Sequence, residues 1–386
     1  MRSLLLEFSV SNYRSIRDEV TLSMLKLDQV DEGGLDVVHV AGIYGANASG
    51  KTTVLESLKF LVRLVRDSGT NPVGVPLPDI GFAFSSEGDV PTVFTVTFSE
   101  AHVIHTYSMG MMGGSVVEES LILDESTVLF TRKGGDIRMG DVPDEDRWVM
   151  DRIRENTGPN NLFLSRCMQF HVGCTKDAVD WFLNGVGWVD ITLDTYLDIN
   201  RRKEEVVRML SNADLGITDI SIENIRDGVG ATPDGLLFDK PMVTHEIVGD
   251  NGSGSYRLSL DAESHGTRVL LGYIPTILDS LDSGKLILMD ELEAGLHPLI
   301  VDYLIGLFSS TETNPNGSQL LFTTHDTMIP RRTGMGVDQI WFASRDPSRG
   351  RTSLYPLSDF EIDDLFDFSQ DYLDGRMGSI PMVRRV

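Results

Sequence analysis

Cysteine is almost missing from this chain. Cys167 and Cys174 are the only two in 386 residues, which excludes a disulfide scaffold and agrees with a reducing compartment. No apolar run reaches the roughly 18 residues of a membrane span. The opening MRSLLLEFSVSNYRS has only a short apolar patch that alternates into a strand, not the apolar core of a secretion signal. A cytoplasmic location is expected. Basic residues are also scarce: 33 Lys and Arg against 58 Asp and Glu leave a net charge of −25. Such a field repels nucleic acid over most of the surface, so contact with DNA or RNA requires a local basic patch or a partner. Sustained heptads, internal repeats and low-complexity tracts are missing too, which argues against a long coiled-coil arm.

Against these absences stand two nucleotide motifs more than two hundred residues apart. GANASGKT (residues 45–52) fits G-x-x-x-x-G-K-[ST], where the glycines let backbone N–H groups curl around phosphates. Gly45, Asn47, Ser49, Gly50 and Thr53 are its phosphate-cradling candidates, and Lys51 would reach the β- and γ-phosphates of ATP. Thr52 would offer a hydroxyl to Mg²⁺. The preceding VVHVAGIYG reads as a buried strand, and Val54, Leu58, Leu61, Val62 and Val65 follow at helical spacing. That is the strand, glycine loop, helix order the chemistry requires. The second motif, LILMDE (residues 286–291), is an apolar strand ending in Asp290 and Glu291, placed where α/β sheets bind ligands. Asp290 would hold the magnesium through its water shell and Glu291 would act as base toward the attacking water. Any strand can end in Asp-Glu, so this motif draws its weight from the glycine loop.

The 41% hydrophobic content supports one large or two ordinary domains. Three stretches are expected: residues 1–140 with the glycine loop and an antiparallel β layer, 141–238 as a helical subdomain and loop, and 239–386 as a C-terminal lobe. LLLEFSVSNYRSI alternates like a strand, with Leu4, Leu6, Phe8 and Val10 on one face. Short alternating runs from Phe82 to Thr131 make the antiparallel layer. DRWVMDRIRENTG and KEEVVRMLSNADLG read as helices, and residues 227–239 as a glycine-rich loop. Strands and helices then alternate to the end, as in a parallel sheet with crossovers. Residues 359–374 interleave carboxylates with aromatics and read as a surface helix with one buried face, or as a docking strip for a basic partner. Cys167, His171 and Cys174 offer three zinc ligands with no obvious fourth, against two ordinary thiols.

Four further strings fall in order around the aspartate strand: ESHGTR (263–268), LEAGLHP (292–298), LLFTTHD (320–326), and DQIWFASRD with YLDGRMGSIP. In this order the chain resembles an ABC-type ATPase head of the RecF/SMC-like class, and more narrowly the compact prokaryotic AAA-family ATPases related to abortive-infection and OLD-type proteins. The resemblance implies an α/β P-loop fold with a central, mostly parallel sheet, an antiparallel β layer and a helical subdomain. It further implies a homodimer or higher oligomer that sandwiches two ATP molecules, Ser264 and Gly266 of one subunit meeting the ATP held by the other. His325 resembles the histidine that senses the γ-phosphate, and residues 293–297 resemble the loop crossing the dimer interface. Arg14 resembles an arginine near the nucleotide in relatives, and could equally be a surface residue. The glutamine coupling lid to metal is assigned to Gln169. SHGT in place of LSGGQ argues against a transporter subunit.

Three functions compete. The first is an ATP-gated dimeric switch controlling a separate effector in defence against phage or foreign DNA. The second is a repair or end-binding ATPase acting on duplex DNA, which the net charge of −25 disfavours. The third is a nucleotide-binding scaffold with negligible turnover, which the Asp290 and Glu291 pair disfavours. No role at a membrane is expected.

Overall fold

Five consecutive residues, VAGIY, form strand β3 (Val40–Tyr44), and all five are buried. A strand covered on both faces belongs inside a parallel sheet. β13 (Leu286–Met289) and β14 (Gln319–Thr324) are buried throughout in the same way. The computed structural model describes residues 3–27, 36–72, 74–82, 90–189, 193–213, 216–223, 240–249, 252–362 and 366–381. Among these, the central sheet has the order β16–β15–β3–β14–β13–β9, completed by β9 (Val186–Trp188), β15 (Ile340–Arg345) and β16 (Thr352–Pro356). Five of its strands are parallel and β16 returns antiparallel at the edge. The sheet draws strands from all three sequence stretches.

Alternation along these strands divides the interior into two cores. Ala41, Ile43, Leu286, Leu288 and Leu321 face one side; Val40, Ile287, Met289, Leu320 and Phe322 face the other. Each of these Val, Leu, Ile, Met and Phe side chains, fully buried, contributes about 1.5–3 kcal/mol. Helix α1 (Lys51–Asp67) covers the first face with Val54, Leu55, Leu58, Leu61, Val62 and Val65. It shares that core with an antiparallel sheet of order β2–β1–β4–β5–β6–β7–β8. These strands are β1 (Leu4–Ser11), β2 (Val20–Ser23), β4 (Thr92–Glu100), β5 (Val103–Met112), β6 (Ser115–Leu123), β7 (Thr127–Lys133) and β8 (Asp136–Met139). The rings of Tyr13, Phe60 and Phe94, 5.6–5.9 Å apart, join the turn after β1 to α1 and β4.

Strand β1 departs from simple alternation. A register shift between Leu5 and Glu7 places Leu5, Phe8 and Val10 in the main core, while Leu4 and Leu6 pack with Val37 on the other side. The expected single face of Leu4, Leu6, Phe8 and Val10 is therefore corrected: an irregularity of one residue exchanges faces.

The helical stretch comprises α2 (Asp144–Glu155), α3 (Phe163–Gln169), α4 (Lys176–Asp180), α5 (Leu193–Arg201) and α6 (Lys203–Asn212), with β9 embedded in it. A buried carboxylate pins it to the antiparallel layer. Glu119 of β6 accepts the N–H groups of Phe163 (2.7 Å) and Leu164 (2.9 Å) at the start of α3 and the hydroxyl of Tyr107 (2.9 Å). Burial raises its pKa, opposed by these donors and by Arg132.

A small sheet of β10 (Ile217–Glu223), β11 (Lys240–Gly249) and β12 (Gly252–Ser259) leads into α7 (His265–Ser283). With α8 (Pro298–Ser309) and α6, helix α7 covers the second face of the central sheet. The expected loop at residues 227–239 lies outside the described residues. The acidic stretch 359–374 is not one surface helix: its described helical part is α10 (Phe368–Leu373), following the short α9 (Ile329–Thr333). Phe368 and Tyr372 turn inward onto Tyr44 (5.1 Å) and Phe342 (5.8 Å). Leu365 lies outside the described residues. No described helix is long and apolar enough to cross a membrane.

Candidate functional site

β3, β13 and β14 deliver three loops to one edge of the central sheet, where their carboxyl ends emerge. After β3 the chain turns sharply at Gly45 (φ 155°) and enters α1 through Gly50 in the left-handed region (φ 107°). A Cβ on Gly50 would lie 2.3 Å from Thr352 Oγ1, so no side chain fits there. Ser49 is buried with its hydroxyl unpartnered in the loop, while Asn47 is exposed at its crown. Lys51 folds back over the loop: Nζ donates to the carbonyls of Gly45 (2.8 Å) and Ala46 (3.1 Å) and lies 3.1 Å from His325 Nε2. Burial lowers its pKa, opposed by Glu291, Asp290 and Glu293.

The carboxylates sit opposite. Thr52 Oγ1 donates to both Asp290 oxygens at 3.1 and 2.9 Å, bringing the two candidate metal ligands together across the sheet edge. Thr323 on β14 holds this corner from below, its hydroxyl donating to Asp290 Oδ1 (2.5 Å) and accepting the N–H of Glu291 (2.8 Å). Glu291 itself takes a left-handed conformation (φ 49°), unusual for a non-glycine residue, and is exposed. Glu293 accepts the N–H of His325 at 2.6 Å through Oε1, while its Oε2 is buried without a partner.

The donor set fits a hard cation. Magnesium needs only one or two protein oxygens beside water and phosphate, and Thr52 with Asp290 supplies them. The unpartnered Ser49 hydroxyl and the tight glycine turn fit a phosphate chain.

A second group forms around the start of α7. Ser264 caps that helix, accepting the N–H of Thr267 at 3.1 Å, and is exposed. Gly266 packs so closely on residue 295 that a Cβ would lie 2.6 Å from its carbonyl oxygen. The serine-glycine turn is thus seated on the 293–297 loop of its own chain, and Glu293 links that loop to His325.

The remaining candidates separate. Arg14 is exposed, over the Tyr13 ring at 5.2 Å, and its neighbour Ser15 approaches Thr53 Oγ1 at 3.3 Å. Gln169 is corrected as a metal ligand. It ends α3, accepts from Arg166 at 2.9 Å and lies against Gly69, just past the C-terminus of α1. Thr52 is at the opposite end of that 17-residue helix, about 25 Å away at 1.5 Å per residue. Cys167 and Cys174 are free thiols whose pKa values burial pushes up, that of Cys174 to about 12. Among the described residues no three His, Cys, Asp or Glu side chains converge to hold a metal.

Sequence reasoning gave Thr323 no role, and it placed Glu293 in the 293–297 loop and YLDGRMGSIP among the recognised strings without their contacts to His325 and the glycine loop. The carbonyl of Ser379 accepts the N–H of Ala46 at 2.8 Å, and its hydroxyl donates to Ala343 at 2.6 Å, so GRMGSIP buttresses the glycine loop. The apolar-then-threonine string LLFTT held the signal for Thr323, since a hydroxyl in a fully buried strand needs partners.

Residues 40–155 and 178–329 match the sequence profile of the family described as "AAA domain, putative AbiEii toxin, Type IV TA system". No curated protein matches the sequence. Among solved structures, an Smc head bound to the C-winged helix domain of ScpA is 14% identical, with TM-score 0.46 over 92% of this chain and 97% of the other. The SMC head domain from Thermotoga maritima is 12% identical, with TM-score 0.45 over 94% and 100%. The Pyrococcus furiosus Smc head with an extended coiled coil, bound to the C-terminal domain of ScpA, is 12% identical, with TM-score 0.47 over 92% and 96%.

Proposed function

Because the chain belongs to the AAA-domain family of putative AbiEii toxins of Type IV toxin–antitoxin systems, we propose that it is an ATP-gated dimeric switch. The matched domain is of the AAA ATPase type. In our reading, ATP closes two heads upon each other, hydrolysis opens them, and a separate effector in defence against foreign DNA reads the closed state.

One observation carries this reading. The start of α7, Ser264 to Gly266, is built onto the 293–297 loop with Ser264 exposed, while Lys51 and Thr52 of the glycine loop meet His325 and Asp290 and Lys51 feels the charge of Glu291. Each group is half of a phosphate site, and two copies of the chain make two whole ones. Glu293 belongs to both halves, since its carboxylate fixes the backbone of His325.

Thr52 and Asp290 would hold magnesium, whose charge neutralises the phosphates when it is bound. Lys51 would exchange its two carbonyl partners for phosphate oxygens, removing the penalty of a buried ammonium. Glu291, fixed through its N–H by Thr323, would accept the proton of the attacking water. Contacts made to both subunits only in the closed state supply the differential binding that shifts the population.

Mixing two inactive variants tests the composite site. Lys51→Ala loses the glycine-loop cation and Ser264→Arg blocks the turn that acts on the partner; neither should hydrolyse ATP alone. Each mixed dimer has one intact composite site, so the mixture should recover turnover. A mixture as inactive as its components contradicts the sandwich.

A further inference from the structure

Although acidic residues outnumber basic ones 58 to 33, four arginines line one cavity of about 600 Å³. Arg17 comes from the segment between β1 and β2; Arg345, Arg349 and Arg351 come from the end of β15 and the turn into β16; Phe82 and Ser348 complete the wall. Arg345 and Arg349 are exposed.

The turn is built to hold this array. The N–H of Asp346 donates to the Arg351 carbonyl (2.9 Å) and the N–H of Gly350 to the Asp346 carbonyl (2.8 Å). The Asp346 carboxylate is engaged within the turn, accepting from the Ser348 N–H (2.8 Å), the Ser348 hydroxyl (2.6 Å) and the Arg349 N–H (3.2 Å). Arg345 Nε donates to the Gly350 carbonyl at 3.3 Å. Arg351 meets Asp18 at 3.2 Å, but that aspartate is 72% exposed and water-screened. Guanidinium groups repel one another, and gathering four of them beside two carboxylates, Asp18 and Asp346, leaves a local excess of positive charge in an acidic chain.

The geometry points to a second anion site, separate from the glycine loop, that takes a ligand with consecutive phosphate groups: a phosphorylated small molecule or the backbone of a single-stranded nucleic acid. The planar guanidinium fork pairs bidentately with phosphate oxygens. The volume suits a nucleotide-sized group, and Phe82 offers an apolar wall for a base or sugar. No residue of the 45–52 loop lines the cavity. The next residue after Arg351 nevertheless touches that loop: Thr352 Oγ1 donates to the Ser49 carbonyl (3.0 Å), and the Thr352 N–H donates to the Ser15 carbonyl (2.8 Å). A ligand in the cavity thereby sits one residue from the ATP loop.

The test uses the full chain carrying Lys51→Ala, which disables the glycine loop, with inorganic triphosphate and a fluorescent single-stranded oligonucleotide as separate probes. Adding Arg345→Glu and Arg349→Glu should weaken the bound probe at least about tenfold, since each charge-assisted pair is worth about that factor. A control pair, Arg138→Glu with Arg152→Glu, changes the net charge equally at exposed positions on β8 and α2 and should keep binding near the parent value. Binding of triphosphate alone identifies a small phosphorylated ligand; binding of the oligonucleotide identifies nucleic acid. Binding of neither, or equal loss in both double variants, overturns the site. Because Lys51 is already replaced, either outcome is independent of the dimeric switch.

Discussion

Replacing Thr323 with valine tests how the hydrolytic corner is held. Valine keeps the shape of this fully buried residue and deletes the hydroxyl that donates to Asp290 and accepts from Glu291. Asp290 retains Thr52 at 2.9 and 3.1 Å, so the larger effect falls on the Glu291 N–H. An unsatisfied buried donor costs about 1–3 kcal/mol. Glu291 is exposed, and water reaching its backbone offsets part of this, leaving about 1.5 kcal/mol of lost stability. The effect on turnover should be larger. Without the anchor, Glu291 is free to leave its left-handed conformation (φ 49°), which stores about 1–3 kcal/mol of strain. A base that must be returned to place before each reaction lowers kcat about 10- to 100-fold, which corresponds to about 1.4–2.7 kcal/mol. KM for ATP should change little, because Lys51 and the glycine loop are untouched. Urea unfolding and phosphate release at saturating ATP measure the two effects. A destabilised variant whose kcat falls by less than about twofold would refute the reasoning, because the anchor would then serve the fold alone.

Gly50→Ala adds a Cβ 2.3 Å from Thr352 Oγ1 at φ 107° and should cost about 2 kcal/mol or more with loss of ATP binding. Adding Thr352→Ala removes the two closest atoms but leaves the Cβ of residue 352 at 2.9 Å and the strained φ, so calorimetry should show partial recovery of stability. His105 is buried in a stack on Phe98 with its pKa lowered, first by desolvation. Between that lowered value and the unfolded value of about 6.5, the unfolded chain binds more protons, so stability falls as pH drops through this window. His105→Gln should therefore flatten the change in urea midpoint between about pH 7.5 and 5.5; an unchanged slope would contradict the burial.

The glycine loop and the aspartate strand were legible because each is local: VAGIYG and LILMDE carry their burial and chemistry in consecutive residues. Thr323 was not, because its partners lie 32 and 33 residues away and a threonine in an apolar strand also reads as a good strand former. β9 escaped notice because three residues, Val186–Trp188, form no period; their pairing with β13 is a tertiary fact. In β1 the irregularity between Leu5 and Glu7 is set by pairing with β4, which no alternation within LLLEF encodes. Gln169 was chosen by residue type, and type does not report which end of α1 a side chain lies beside. The interleaved aromatics of 359–374 suggested a helix with one buried face; Phe368 and Tyr372, four residues apart on α10, do turn together onto Tyr44 and Phe342, but residues 360–362 and 366–367 are not helical, so the period holds over one short helix only.

The central claim is that ATP joins two copies of this chain through two shared sites. The solution mass of Glu291→Gln protein, with and without ATP and Mg²⁺, addresses it most directly, because this variant should bind without hydrolysing. The account predicts a dimer that forms when nucleotide is added and dissociates when it is removed. A monomeric mass with ATP stoichiometrically bound would contradict it.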